Sequence, residues 1–145
     1  MVVALRKIVI NRLSTTAKIP SKAHDTDAGF DIYSDEDVYI FPNKATAVGT
    51  GVIIKIPTGY YGRLKARSGL TIKTPLRVLE GTIDSGYRGE LKVMCDAKDA
   101  VHEIHKGDKI AQLIIQPLPV FEIVEGDIDM DSERGQGGFG STGSR

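Results

Sequence analysis

The sequence predicts an all-β protein, a sandwich or barrel, on three observations. Short stretches rich in Val, Ile, Tyr and Leu recur along the chain, turn-forming residues separate them, and no long segment carries apolar residues at helical spacing. Residues 7–13 open the series with Ile8, Val9 and Ile10. Residues 38–41 come next and stop at Pro42-Asn43, while 51–56 run through Val52, Ile53 and Ile54 into the turn Pro57-Thr58-Gly59. Residues 60–66 return from that turn, and 68–73 form the one candidate for a turn or two of helix. Residues 90–94 carry Leu91 and Val93; 109–116 leave the turn Lys106-Gly107-Asp108 with Ile110, Leu113, Ile114 and Ile115; and 120–124 close the rhythm with Val120, Phe121, Ile123 and Val124.

At 145 residues the chain is long enough for one ordinary core. Lys plus Arg and Asp plus Glu both number 19, so the formal net charge is zero and long nucleic acid is excluded as a general partner. No apolar run reaches membrane length. The lone Cys95 cannot form an internal disulfide, and the apolar opening 1–5 is interrupted by Arg6 and Lys7 before it could act as a secretory signal. Both features point to a reducing cytoplasm.

The texture changes after Val124. Residues 1–124 read as the all-β core domain and 125–145 as an acidic linker followed by a glycine-rich tail. The linker's Asp127-Ile128-Asp129-Met130-Asp131 starts like a calcium loop, but Ser132 stands at the glycine position and Gly138 at that of the bidentate glutamate, so it reads as a solvated tether. Such a tether can leave its own core and dock on a neighbouring subunit.

The tail, Arg134-Gly135-Gln136-Gly137-Gly138-Phe139-Gly140-Ser141-Thr142-Gly143, cannot bury a core. It has the equipment of a lid. Glycines bring backbone N–H groups close to a ligand, Arg134, Ser141 and Thr142 can bind phosphate oxygens, and Phe139 can cover a flat base. Its spacings also match a dinucleotide fingerprint and a phosphate loop, but no helix follows, and Ser141 occupies the phosphate loop's lysine position.

Three interior segments are polar and glycine-bearing among apolar strands: Asp27-Ala28-Gly29-Phe30-Asp31; Arg67-Ser68-Gly69; and Gly81-Thr82-Ile83-Asp84-Ser85-Gly86-Tyr87-Arg88-Gly89-Glu90. Each taken alone is explained as a turn or a helix cap. Together they supply carboxylates, a guanidinium with a hydroxyl, and a tyrosine beside a tight turn, which complements the tail.

With Gly107-Asp108-Lys109-Ile110-Ala111-Gln112-Leu113-Ile114, these segments and the tail resemble the five ordered motifs of the homotrimeric dUTPases. The likeness runs from Asp27 to Gly143. It implies a jelly-roll β-sandwich, a homotrimer with shared active sites, and hydrolysis of dUTP to dUMP and pyrophosphate by water attack on the α-phosphorus. That reaction limits uracil incorporation into DNA and supplies dUMP for dTMP synthesis.

The resemblance also implies roles. Asp84 is the base that orients water, and Tyr87 packs on deoxyribose, where a ribose 2'-hydroxyl would clash. The main chain of a hairpin spanning 78–83, with Val78, Gly81, Thr82 and Ile83, distinguishes uracil from cytosine by its donor and acceptor pattern. Arg67, Ser68, Gly69 and Gln112 take the phosphates, joined by Arg134, Gly140, Ser141 and Thr142 from the tail while Phe139 covers the base. The implied cofactor is Mg2+, with Asp31 contacting its water shell. His102 and His105, three apart in an expected strand, face opposite sides, and His24 lies in a loop, so the histidines read as surface residues.

Two positions depart from the family pattern: Ala66 stands where proline is common, and Glu80 places an anion beside the base-binding segment, which bears on affinity. The related dCTP deaminases share the fold but need a glutamate in the strand after the third motif, and Leu91-Lys92-Val93-Met94-Cys95-Asp96 has none in its interior. A regulatory protein that uses dUTP occupancy to recruit a partner is a rival of another class. Asp84 argues against a purely non-catalytic version of it.

Overall fold

A computed structural model describes residues 5–140. The architecture is nearly all β. Its strands are β1 (Val9–Arg12), β2 (Phe30–Tyr33), β3 (Val38–Ile40), β4 (Thr46–Gly49), β5 (Val52–Lys55), β6 (Tyr60–Lys65), β7 (Leu76–Val78), β8 (Gly81–Ile83), β9 (Lys92–Ala97), β10 (His102–Ile104) and β11 (Lys109–Pro117), with one short helix, α1 (Ser68–Lys73). A four-stranded sheet in the order β2-β11-β6-β8 and a three-stranded sheet β4-β9-β7 are accompanied by the pairs β1-β5 and β10-β3. Every strand pair is antiparallel.

The core lies between the inner faces. In β9 the alternation is regular: Val93, Cys95 and Ala97 are buried while Lys92 and Met94 are exposed. Ile32, Ile40, Val48, Val52, Ile54, Leu64, Leu76, Ile104, Ile110 and Leu113 belong to the same apolar cluster. Each fully buried side chain of this size contributes about 1.5–3 kcal/mol. Burial pushes the Cys95 thiol up to about 11, so the native protein should resist thiol reagents at pH 7–8 and react only when unfolded. Labelling of Cys95 without denaturant at the rate of a free thiol would contradict this packing.

The predicted strands at 7–13, 38–41, 51–56, 60–66, 90–94 and 109–116 all contain or overlap an observed one, and α1 occupies the predicted turns. Two differences have physical causes. Residues 120–124 form no strand: among the described residues no ladder partner pairs with them, and Val120 and Ile123 are 96% and 97% exposed. Strands β2 and β4 lie outside the predicted stretches; each is only four residues long and is held by a longer partner, β11 for β2 and β9 for β4. His105 falls just beyond β10, exposed at the surface beside Glu103.

Candidate active site

The first cleft gathers three of the segments singled out in the sequence. Asp27, Ala28, Gly29, Asp31, Arg67, Ser68, Gly69 and Gln112 line a polar cavity of about 300 Å³. Asp31 lies on β2 directly opposite Gln112 on β11, and Lys65, which ends β6, faces Gln112 from the other side. Arg67 and Ser68 follow immediately, where α1 begins. Asp31 stands between two cations, its Oδ1 3.1 Å from Arg67 Nε and its Oδ2 3.5 Å from Lys109 Nζ. The guanidinium is thus held by its Nε edge beside the cavity.

Lys109 joins this group although strict alternation along a strand puts residues 109 and 112 on opposite faces. A β-bulge between Lys109 and Ala111 makes Ile110 and Ala111 consecutive buried residues, which turns Lys109 and Gln112 toward the same side. No sequence signal marks that bulge.

Gln112 is doubly constrained. Its Nε2 donates to the Ala66 carbonyl at 2.9 Å, which fixes the chain just ahead of Arg67. Gly29 packs against it so closely that an added Cβ would lie 2.4 Å from Gln112 Oε1 and 3.0 Å from its Cβ. Gly29→Ala should therefore lower stability by about 1–3 kcal/mol and loosen the Arg67 loop. Equilibrium denaturation checks it, and an unchanged midpoint would show that the contact is not tight.

The second cleft, of about 180 Å³, is lined by Thr82, Ile83, Asp84, Tyr87, Glu90 and Lys92. Asp84 leaves the end of β8 and starts a turn in which the Tyr87 N–H donates to the Asp84 carbonyl at 3.1 Å. The Tyr87 hydroxyl donates to the Glu90 carbonyl at 2.9 Å, folding the ring back over its own loop.

The expected hairpin at 78–83 is corrected by the structure. Val78 pairs with Cys95 in the three-stranded sheet, whereas Gly81 pairs with Leu64 in the four-stranded sheet, and no ladder joins β7 to β8. Each is an edge strand, and the chain crosses between sheets through Leu79 and Glu80. Two adjacent unpaired edges present backbone donors and acceptors that a ladder would otherwise have consumed.

Glu80 is not a bare anion at this crossing. Arg63 donates to it through Nε at 2.9 Å and through Nη2 at closer range, and this hydrogen bonding holds its carboxyl below the usual carboxylate range. The departure from the family pattern is thus neutralised by a neighbour on β6.

The two clefts do not meet within one chain. Asp31 and Asp84 are three strands apart in the order β2-β11-β6-β8, and the register sets Asp84 beyond Gly62 while Asp31 is level with Lys65. Strand spacings of about 4.8 Å and rises of about 3.3 Å per residue then separate them by roughly 19 Å. Arg134 and Phe139 line neither cleft; Arg134 Nε donates to the Gly137 carbonyl, and Phe139 is fully exposed, followed by Gly140 at φ 83°. Ser141 and Thr142 lie outside the described residues.

Among the described residues no three His, Cys, Asp or Glu side chains gather into a cage. Asp31, already between two cations, suits a hard ion only through water. That fits an ion which keeps its hydration and is carried by phosphate oxygens.

A family model described as dUTPase matches residues 15–143. A curated relative from Rhodococcus erythropolis, a deoxyuridine 5'-triphosphate nucleotidohydrolase, is 47% identical over 143 residues, covering 94% of this chain and 85% of the relative. The chain belongs to the dUTPase family. Its relative of the same description from Clostridium tetani is 42% identical over 137 residues, covering 92% of this chain and 94% of that one. The fold matches a mutant dUTPase of Staphylococcus bacteriophage 80alpha solved with dUpNHpp, at a TM-score of 0.88 and 33% identity over 96% of this chain and 99% of that one. It also matches a mutant dUTPase from phage phi11 of S. aureus, described as coordinating a structural Mg(II) ion, with a TM-score of 0.80 and 29% identity over 89% of this chain and 99% of that one. The jelly-roll architecture and the hydrolase class follow from this membership.

Proposed function

We propose that the chain hydrolyses dUTP to dUMP and pyrophosphate, with Asp84 as the base and a site assembled from more than one subunit. The observation that carries the reading is the division of these groups between two separate clefts, which sets Asp31 and Asp84 roughly 19 Å apart by strand spacing and register. A triphosphate does not span that gap, so the cleft of Asp84 and Tyr87 needs the phosphate cleft of another copy. The exposed arm supports the same conclusion: after β11 ends at Pro117, Val120, Phe121, Ile123, Val124 and Ile128 lie against none of their own core. Apolar side chains held out in this way suit burial against a neighbour. Within this reading the assembly is a homotrimer, residues 1–124 are the core domain, and 125–145 are linker and lid.

Asp84 accepts a proton from water poised at the α-phosphorus. Tyr87 holds the deoxyribose, and the open edges at Val78, Gly81, Thr82 and Ile83 meet the uracil donors and acceptors. Arg67, Ser68, Gly69 and Gln112 hold the phosphates, and the tail adds Arg134, Gly140, Ser141 and Thr142 with Phe139 over the base. Mg2+ would be held by the phosphates and, through water, by Asp31, and when bound it supplies neutralisation of phosphate charge.

Among the described residues no helix is long and apolar enough to cross a membrane. A reducing cytoplasm is the proposed location, supported by the single, buried Cys95. Pyrophosphate release measured against dUTP, dCTP, dTTP and UTP tests the activity. Strong release from dUTP alone is expected; equal release from all four would overturn the assigned specificity.

A further inference from the structure

We propose that Gly89, together with the Glu90 carbonyl, positions the Tyr87 ring and so sets the sugar selectivity of the site; the proposal rests on the reading of Tyr87 as the deoxyribose gate. A steric gate discriminates only as well as it is held still, since a ring free to swing makes room for the extra hydroxyl. Tyr87 is nearly half exposed, so core packing alone does not hold it. Its restraint is local. The hydroxyl is tied to the Glu90 carbonyl at 2.9 Å, three residues further along its own loop.

That bond can form only because position 89 has no side chain. A Cβ on Gly89 would lie 2.3 Å from the Tyr87 hydroxyl oxygen, 2.6 Å from Cζ and 2.8 Å from Cε1. These are three atoms of one rigid aromatic unit, so the ring would have to move as a whole and the hydroxyl bond would break. The remainder of the loop is anchored independently. Glu90 Oε2 accepts the Gly51 N–H at 3.0 Å, the Leu91 N–H donates to the Val52 carbonyl at 2.8 Å, and Arg88 Nη1 donates to the carbonyls of Ser85 at 2.7 Å and Tyr87 at 3.1 Å. A methyl at position 89 therefore displaces the ring while the backbone that carries Asp84 stays in place.

The test is the ratio of kcat/KM for UTP to that for dUTP in four variants. Gly89→Ala should raise the ratio by about tenfold or more, with kcat on dUTP kept within about threefold. Tyr87→Phe retains the ring without its anchor and should raise the ratio by less. Tyr87→Ala should raise it at least as far as Gly89→Ala. The double variant Tyr87→Ala/Gly89→Ala should match Tyr87→Ala alone, because Gly89 acts only through the ring.

A wild-type ratio in Gly89→Ala alongside an opened Tyr87→Ala would overturn the proposal and leave the gate standing. A wild-type ratio in Tyr87→Ala as well would overturn the gate itself. Should Gly89→Ala fail to fold, the double variant has no ring for the methyl to meet, and a Tyr87→Phe ratio equal to wild type would then count against the proposal.

Discussion

Asp84→Asn is expected to lower kcat on dUTP by about a hundredfold or more while fold and nucleotide binding persist. Among the described residues no side-chain hydrogen bond or ion pair engages the Asp84 carboxylate, so an amide of the same shape removes no structural contact. The turn it starts is made by its backbone carbonyl, which the substitution retains. What is lost is the ability to accept the proton of the attacking water. Three measurements together isolate that loss: pyrophosphate release in a single turnover, thermal midpoint, and binding of a non-hydrolysable dUTP analogue. Unchanged turnover would remove Asp84 from the mechanism, and a collapsed thermal midpoint would make its role structural.

Truncation after Glu133 should reduce turnover by about two to three orders of magnitude with little change in stability. The last strand ends at Pro117, and Arg134 and Phe139 lie outside the buried cluster, so no core contact leaves with them. Phosphate donors and the cover over the base would all go at once, with effects that do not add. Residues 134–140 should exchange their amide protons more slowly with a non-hydrolysable analogue and magnesium than without ligand, the ordering entropy offset by phosphate contacts. Hydrogen exchange with and without nucleotide follows that closure. Equal exchange in both states, or full turnover in the truncated protein, would make the segment a passive terminus.

Mixing the truncated protein with full-length Asp84→Asn connects the two results. Subunit exchange should restore part of the activity by lending an intact tail to an intact Asp84. No recovery after verified exchange would place the whole site on one chain, against the division between the clefts.

The all-β fold class was legible in the sequence, as were the polar segments that line the two clefts. Long strands such as β6 and β11 carry enough Val, Ile, Leu and Tyr to be read directly, and the polar, glycine-bearing segments between them hold the groups a triphosphate needs. Tertiary structure decided how those groups are shared. A bulge at Ile110 brings Lys109 and Gln112 to one side, which no periodicity encodes; Gly29 and Gly89 are required by contacts with Gln112 and Tyr87 that are visible only in three dimensions. The segment expected to close as a hairpin between Val78 and Gly81 instead splits between two sheets, because β9 and β6 offer each half a longer partner than the other half could. Strand pairing of this kind depends on residues distant in the chain, as does the separation of Asp84 from Arg67. Local sequence names the groups, and only non-local pairing sets which of them one chain can bring to a single substrate.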